Sequence, residues 1–188
     1  MARYELGAVY KIATDSEIVY YARLLEHDCY GVFEPFEGNL CEDTLSKTPY
    51  RLYITCNTFP VKRGVWEKVL PSPDKKDTVR WKSPDLANYA NFNTVWSVKN
   101  HQIFHKGNTY LCKKDDFINL VKSGMIKLIF NRHENIPSFL ARYYENWVTS
   151  YILDKNSILQ GTVEHQKEIL EALKEMGFDT TGFTITGN

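Results

Sequence analysis

The chain has 188 residues, enough to bury a substantial core without disulfide or metal staples. Its composition, 43% hydrophobic and 24% charged, excludes an intrinsically disordered polymer. A formal net charge of zero argues against a protein whose affinity rests on nucleic-acid phosphates.

The charge is uneven along the chain. Residues 1–45 hold nine acids, Glu5, Asp15, Glu17, Glu26, Asp28, Glu34, Glu37, Glu42 and Asp43, against Arg3, Lys11 and Arg23, a local balance of about −6. Residues 62–82 lean the other way, with Lys62, Arg63, Lys68, Lys75, Lys76, Arg80 and Lys82 against Glu67, Asp74 and Asp77. The opening MARYELGAVYKIATDSE lacks a basic region followed by an apolar run, so no secretory signal is expected. No stretch approaches the length of a membrane span. Cys29, Cys41, Cys56 and Cys112 lie at wide irregular spacings, which favours buried thiols in the cytoplasm over disulfides or zinc.

In chain order, AVYKIA (8–13) and EIVYYARLLE (17–26) flank the turn-type triplet Thr14-Asp15-Ser16 and predict a hairpin. CYGVFEPF (29–36) follows, with Pro35 marking an edge strand or a strand end. YRLYITCN (50–57) alternates, placing Leu52, Ile54 and Cys56 on one face. VWEKVL (65–70) follows a turn at Gly64. The Pro- and Asn-rich segment 71–94 reads as a long surface loop. TVWSV (94–98) is a further strand, and HQIFHKGNTYLC (101–112) a hairpin closing at Gly107-Asn108.

Helical signals then take over. DDFINLVKSG (115–124) starts on two acids and stops at Gly124, and IKLIF (126–130) is a short strand. From Ile136 a 3,4 spacing of Phe139, Leu140, Tyr143, Tyr144, Trp147, Val148, Tyr151 and Ile152 predicts an amphipathic helix whose aromatic face is core or a second contact surface. A last helix runs from Thr162 to Met176 and exposes Glu164, Glu168, Glu171 and Glu175. The expected class is α+β in a single domain over 1–188. An antiparallel, strongly bent sheet or partial barrel fills 1–130, and two or three packed helices occupy 135–188.

No catalytic constellation emerges. His101 and His105 have the four-residue spacing of helical zinc ligands, but they sit in a strand and no third ligand is evident. A small hydrolase built on them is one alternative. Cys112 beside Asp115 and Asp116 has no histidine fixed near it, and there is no phosphate loop or serine elbow. Another alternative is a single-stranded nucleic-acid module in which Trp66 and Trp81, among the bases of 62–82, stack on bases.

Residues 26–38, EHDCYGVFEPFEG, join carboxylates to aromatics. Together with GAVYKIA, YRLYI and FPVKRGVWEKVLPSPD, this run resembles an α+β immunity-protein family of bacterial polymorphic toxin and contact-dependent growth inhibition systems. The resemblance rests on Gly7, Val9, Tyr10, Tyr21, Ala22, Gly31, Phe33, Gly64 and Trp66, and covers roughly residues 4–92, more weakly to about 145. It implies a cytoplasmic, non-enzymatic protein that binds a cognate toxin domain stoichiometrically. Such a protein has no catalytic residues, metal or cofactor, no membrane or nucleic-acid partner, and is monomeric before the toxin binds. Contact residues vary among such proteins, so the surface is read from this chain. An acidic strip can substitute for the nucleic acid of a basic nuclease toxin while aromatics anchor it. Glu26, Asp28, Tyr30, Glu34, Glu37, Glu42 and Asp43 are therefore the expected contacts, with Phe33 and Phe36 turned to the core.

Overall fold

A computed structural model describes residues 4–14, 18–89, 102–111, 116, 119–120, 123–142, 162–175 and 185. One sheet dominates it. The strands are β1 (Val9–Ala13), β2 (Val19–Leu25), β3 (Cys29–Phe33), β4 (Tyr50–Thr55), β5 (Glu67–Leu70), β6 (Leu86–Tyr89), β7 (Gln102–His105), β8 (Asn108–Leu111) and β9 (Ile126–Ile129). The helices are α1 (Glu42–Lys47), α2 (Phe59–Lys62), α3 (Asn135–Arg142) and α4 (Val163–Glu175). The strand order is β5-β1-β2-β3-β4-β9-β6-β7-β8.

The α+β class is as expected, but the sheet is mixed and open rather than antiparallel and closing. β9 enters between β4 and β6 and runs parallel to both, whereas the remaining neighbours pair antiparallel. No local pattern in IKLIF specifies that insertion, because parallel pairing joins segments far apart in sequence. β6 also lies inside the stretch read as a structureless loop. TVWSV falls outside the described residues, as do the helical positions Tyr143, Tyr144, Trp147, Val148, Tyr151 and Ile152.

The hairpins follow from turn chemistry. β1 pairs with β2 as the predicted hairpin, with Tyr10 opposite Ala22 and Ile12 opposite Tyr20. Between β2 and β3 the Cys29 N–H donates to the Glu26 carbonyl across His27 and Asp28. Both of those residues adopt positive φ, 57° and 53°, the twist that a tight hairpin needs. The β7–β8 turn centres on Lys106-Gly107, one residue earlier than expected, since His105 pairs with Asn108.

β3 overturns the edge-strand reading. It is paired on both sides, to β2 and β4, and every residue of CYGVF is buried. A strand covered on both faces carries no charge, so the acids of 26–38 flank it instead of riding on it. Pro35 follows the strand's end.

One face of the sheet presents Tyr10, Ile12, Ala22, Leu24, Tyr30, Val32, Leu52, Ile54 and Leu128 to Val61, Trp66, Ile136, Phe139 and Leu140. Ile136, Phe139 and Leu140 carry the described part of the predicted aromatic helix into the core. On the other face Val9, Phe33 and Leu45 form a smaller cluster under α1, beside a third built on Leu25, Cys29 and Trp81. Gly31 lies on this second face, where an added Cβ would meet the Tyr50 ring at 2.7 Å. The close approach accounts for a glycine in a buried strand. α4 begins just after Thr162, as predicted, and Glu164, Glu168 and Glu171 are exposed along it.

Candidate functional site

The segment leaving β3 builds a concave feature that involves the acidic aromatic run. The ladder slips between Val32 and Phe33, and the Glu34 N–H then donates to the Pro49 carbonyl at 2.9 Å. Pro35 ends the pairing, and Phe36 turns back onto Tyr21 of β2, ring centroids 5.6 Å apart and tilted by 40°. Gly38, at φ 99°, reverses the chain toward Leu40.

The result is an open cleft of about 350 Å³ whose walls include Tyr21, Phe33, Phe36 and Leu40, with Glu34 at its edge. Its lining contains one carboxylate and no basic side chain. Arg51 Nη1 donates to Glu34 Oε2 at 3.0 Å, while 40% of the Glu34 side chain remains exposed. Glu37, between Phe36 and Gly38, is exposed. Phe33 is core, as expected, whereas Phe36 is half-buried and faces the cleft.

The remaining predicted contacts separate into different environments. Tyr30 is 0% exposed, its ring edge-on to Trp66 at 5.0 Å, and burial first of all pushes its hydroxyl's pKa far up. It belongs to the core and cannot meet a partner, because Trp66 and the cluster packed on that face of the sheet cover it.

Glu42 is a structural clamp. Its Oε2 accepts from Arg23 Nη2 at 2.8 Å and its Oε1 from Arg80 Nη2 at 3.0 Å. Arg23 is 2% exposed, lies over the Phe33 and Trp81 rings at 5.6 and 4.9 Å, and also donates to the Gly7 carbonyl at 2.9 Å. Asp43 pairs with Lys47 one turn along α1 at 2.9 Å, both fully in solvent's reach, a contact of small energetic weight.

Glu26 and Asp28 occupy the β2–β3 turn, at the opposite end of β3 from Glu34. Five residues of strand intervene, roughly 17 Å at the usual rise. Asp28 lies against Tyr4, whose hydroxyl pKa is raised by burial and then by the Asp28 and Glu26 charges. Among the described residues, the acids of the first quarter therefore do not make one outward patch. Glu34, Glu42 and Asp43 are each tied to a base. Glu34 and Glu37 stay together at the cleft; the others do not join them. Of the cleft residues missed in the sequence, Leu40 had one usable signal, an apolar residue two positions after the turn glycine Gly38, whereas Tyr21 had none.

No protein-family model, curated protein or solved structure matches this chain. The likeness to immunity proteins thus rests on the quoted residues, and the structure gives several of them structural work: Gly7 against Trp81, Gly31 against Tyr50, Trp66 against Tyr30.

The alternative chemistries find less support. Trp66 and Trp81 are 2% and 3% exposed, and the Trp81 indole N–H donates to the Asp74 carbonyl at 2.6 Å. Neither ring is available to stack on a base. His105 lies half-buried on β7, and His101 and Cys112 fall outside the described residues. Among the described residues no group of three or more His, Cys, Asp and Glu side chains is placed to hold a metal. No helix among them is long and apolar enough to cross a membrane.

Of the described cysteines, Cys29 and Cys56 are buried and free, but Cys41 is exposed, contrary to the expectation for all four. Burial pushes both the Cys29 and the Cys56 thiol up to about 12. The Cys41 thiol is lowered by its contact with the Thr44 hydroxyl, 3.3 Å away, and by the Thr44 backbone. Reaction rate follows thiolate fraction and access. In a Cys112→Ser background at pH 8, a disulfide reagent should modify Cys41 alone in the native protein, with Cys29 and Cys56 reacting only in denaturant. Mass mapping of the adducts reads this out, and native-rate labelling of Cys29 would contradict it.

Proposed function

We propose that this chain is a non-enzymatic binding protein of the immunity type, which occludes a cognate bacterial toxin domain in the cytoplasm. The observation that supports the reading is the cleft at the exit of β3, where Tyr21, Phe33 and Phe36 line an open concavity edged by Glu34 and neighboured by Glu37. Desolvated aromatic anchors beside rim charges are the elements from which tight protein interfaces are made. A basic toxin, such as a nuclease that holds phosphate, meets complementary charge there.

The contact set is accordingly revised. Glu34 and Glu37 remain in it, joined by Tyr21, Phe36 and Leu40. Tyr30 leaves it for the core, Glu42 leaves it as the partner of Arg23 and Arg80, and Asp43, exposed in its pair with Lys47, is left out because it does not line the cleft. Glu26 and Asp28 lie at the other end of β3 and do not line the cleft.

The test is co-expression with the toxin domain encoded beside this chain's gene. The wild-type chain should restore growth and form a one-to-one complex. Glu37→Lys should slow association about tenfold at low salt, since rim charges act mainly on the on-rate. Phe36→Ala should weaken binding about 10- to 100-fold through the off-rate. Full protection by a chain carrying both changes would remove the cleft from the interface.

A further inference from the structure

We infer that the cleft between β2 and segment 33–40 is a receptor for a guanidinium group, so that the partner inserts an arginine side chain there. The inference deepens the binding reading and rests on it for the partner's identity, though not for the chemistry of the cleft.

Four observations converge. First, Glu34 is the charged residue of the lining, and none of the lining residues is a lysine, arginine or histidine; Arg51, outside the lining, holds Glu34 Oε2 at 3.0 Å, and 40% of the Glu34 side chain remains exposed to a second cation. Glu37, next to the lining residues Phe36 and Gly38, adds a second exposed carboxylate that takes part in no ion pair among the described residues. An anion entering the cleft meets like charge, and a cation meets its complement.

Second, the walls are aromatic. Tyr21, Phe33 and Phe36 all line the cleft, and Tyr21 and Phe36 meet at 5.6 Å with a tilt of 40°, so aromatic surface borders it. A planar cation gains from such surface through the ring quadrupole. Arginine gains more than lysine, because its guanidinium stacks flat and is more weakly hydrated.

Third, the size suffices. About 350 Å³ lies at the low end of the roughly 300–1,000 Å³ usual for ligand clefts, and it accommodates one long side chain.

Fourth, the protein already uses this recognition chemistry on itself across the same phenylalanine. Phe33, a wall of the cleft, lies under the guanidinium of Arg23 at 5.6 Å, and Glu42 completes that contact at 2.8 Å. The internal site shows that ring and carboxylate can be combined around a guanidinium in this part of the sheet. The cleft repeats the combination on the solvent side, with the guanidinium left for another molecule to supply.

The experiment is an NMR titration of the isotope-labelled full chain with four small probes: the N-acetyl amides of arginine, lysine, citrulline and glutamate. Arginine should give saturable shifts at Tyr21, Phe36 and Gly38. Lysine should bind about threefold to tenfold more weakly because it cannot stack flat. Citrulline, the neutral isostere of arginine, should lose about fivefold or more because the charge is gone. Glutamate should give no saturable shift. Glu37→Gln and Phe36→Ala should each weaken arginine binding about fivefold, with unchanged spectra at the core residues Leu52 and Leu128 showing that the fold is intact.

Equal binding of citrulline and arginine would overturn the inference, as would binding of glutamate, or arginine shifts that map away from the cleft. The two proposals can fail separately. A toxin neutralised by the Phe36→Ala, Glu37→Gln double variant removes the cleft from immunity while arginine binding persists. A cleft that ignores arginine yet is needed for protection removes the guanidinium and keeps the interface.

Discussion

Replacing Glu42 by alanine should destabilise the protein by about 2–3 kcal/mol, read as a lowered midpoint of urea unfolding with an unchanged slope. Arg23 is the reason. Its guanidinium is 2% exposed, and Glu42 is the anion beside it at 2.8 Å. Losing one partner of a buried pair leaves the other charge uncompensated, which costs about 3–5 kcal/mol when both are fully enclosed. The Glu42 side chain is 35% exposed, so water can partly replace it and the lower figure is expected. Arg23 also keeps the Gly7 carbonyl and two ring faces.

The double replacement Arg23→Met, Glu42→Leu should recover most of the loss, to within about 1 kcal/mol of wild type, because removing both charges removes the desolvation term as well. Glu37→Ala is the matched control. Glu37 is exposed, and its loss should stay within about 0.5 kcal/mol. Equal effects of Glu42→Ala and Glu37→Ala would show that Glu42 is a surface acid after all and return it to the partner-facing set.

Gly7→Ala should be the more damaging change, at about 3 kcal/mol or more, combining a left-handed backbone with a side chain that has nowhere to go. Gly7 holds φ 83°. A Cβ placed there would lie 2.6 Å from Trp81 Cε2 and would also strike the Ser72 hydroxyl. The indole cannot retreat cheaply, because its N–H is bound to the Asp74 carbonyl at 2.6 Å and its face carries the Arg23 guanidinium. Gly64 separates the two components of this cost. It also has positive φ, 73°, but open space around its absent Cβ. Gly64→Ala should therefore cost about 1–2 kcal/mol, the conformational component alone. Thermal unfolding of the two variants side by side measures the difference. Equal costs would mean that Trp81 yields to the methyl group without penalty.

Both predictions concern the second face of the sheet, where the 71–82 excursion is pinned by Trp81 and where Arg80 is joined to α1 through Glu42. The excursion was legible as irregular and basic, but its role was not. Two tryptophans among lysines look like a stacking surface when the chain is read linearly. In three dimensions each tryptophan is the buried anchor of a surface segment, and the lysines other than Lys68, which holds Glu5, are the part left in water.

The acids of the first quarter show the same gap. Their number was plain, yet Glu34 finds Arg51, and Glu42 finds Arg23 and Arg80, 17, 19 and 38 positions away. Only the pairing of Asp43 with Lys47 was accessible to local rules, since four residues make one helical turn. Tyr30 could have been placed in the core from its surroundings. CYGVF contains no charged residue and stands between acids on both sides, the mark of a short strand covered on both faces. The cleft, by contrast, needed the fold: Phe36 reaches Tyr21 only because β3 returns antiparallel beside β2 and the chain then turns back at Gly38.

By itself the sequence determined the parts whose causes lie within about ten residues. These are the β1–β2 hairpin, the alternation that buries Leu52, Ile54 and Cys56, the start of α4 after Thr162, and the α+β class. Period, turn chemistry and helix capping act at that range. The tertiary structure alone decided that β9 enters between β4 and β6, that β3 is interior, that Tyr30 is core and that Glu34 and Glu42 are paired with arginines distant in sequence. Those outcomes depend on which segments meet, and a charge or a ring is free for a partner only if the fold brings nothing of its own against it.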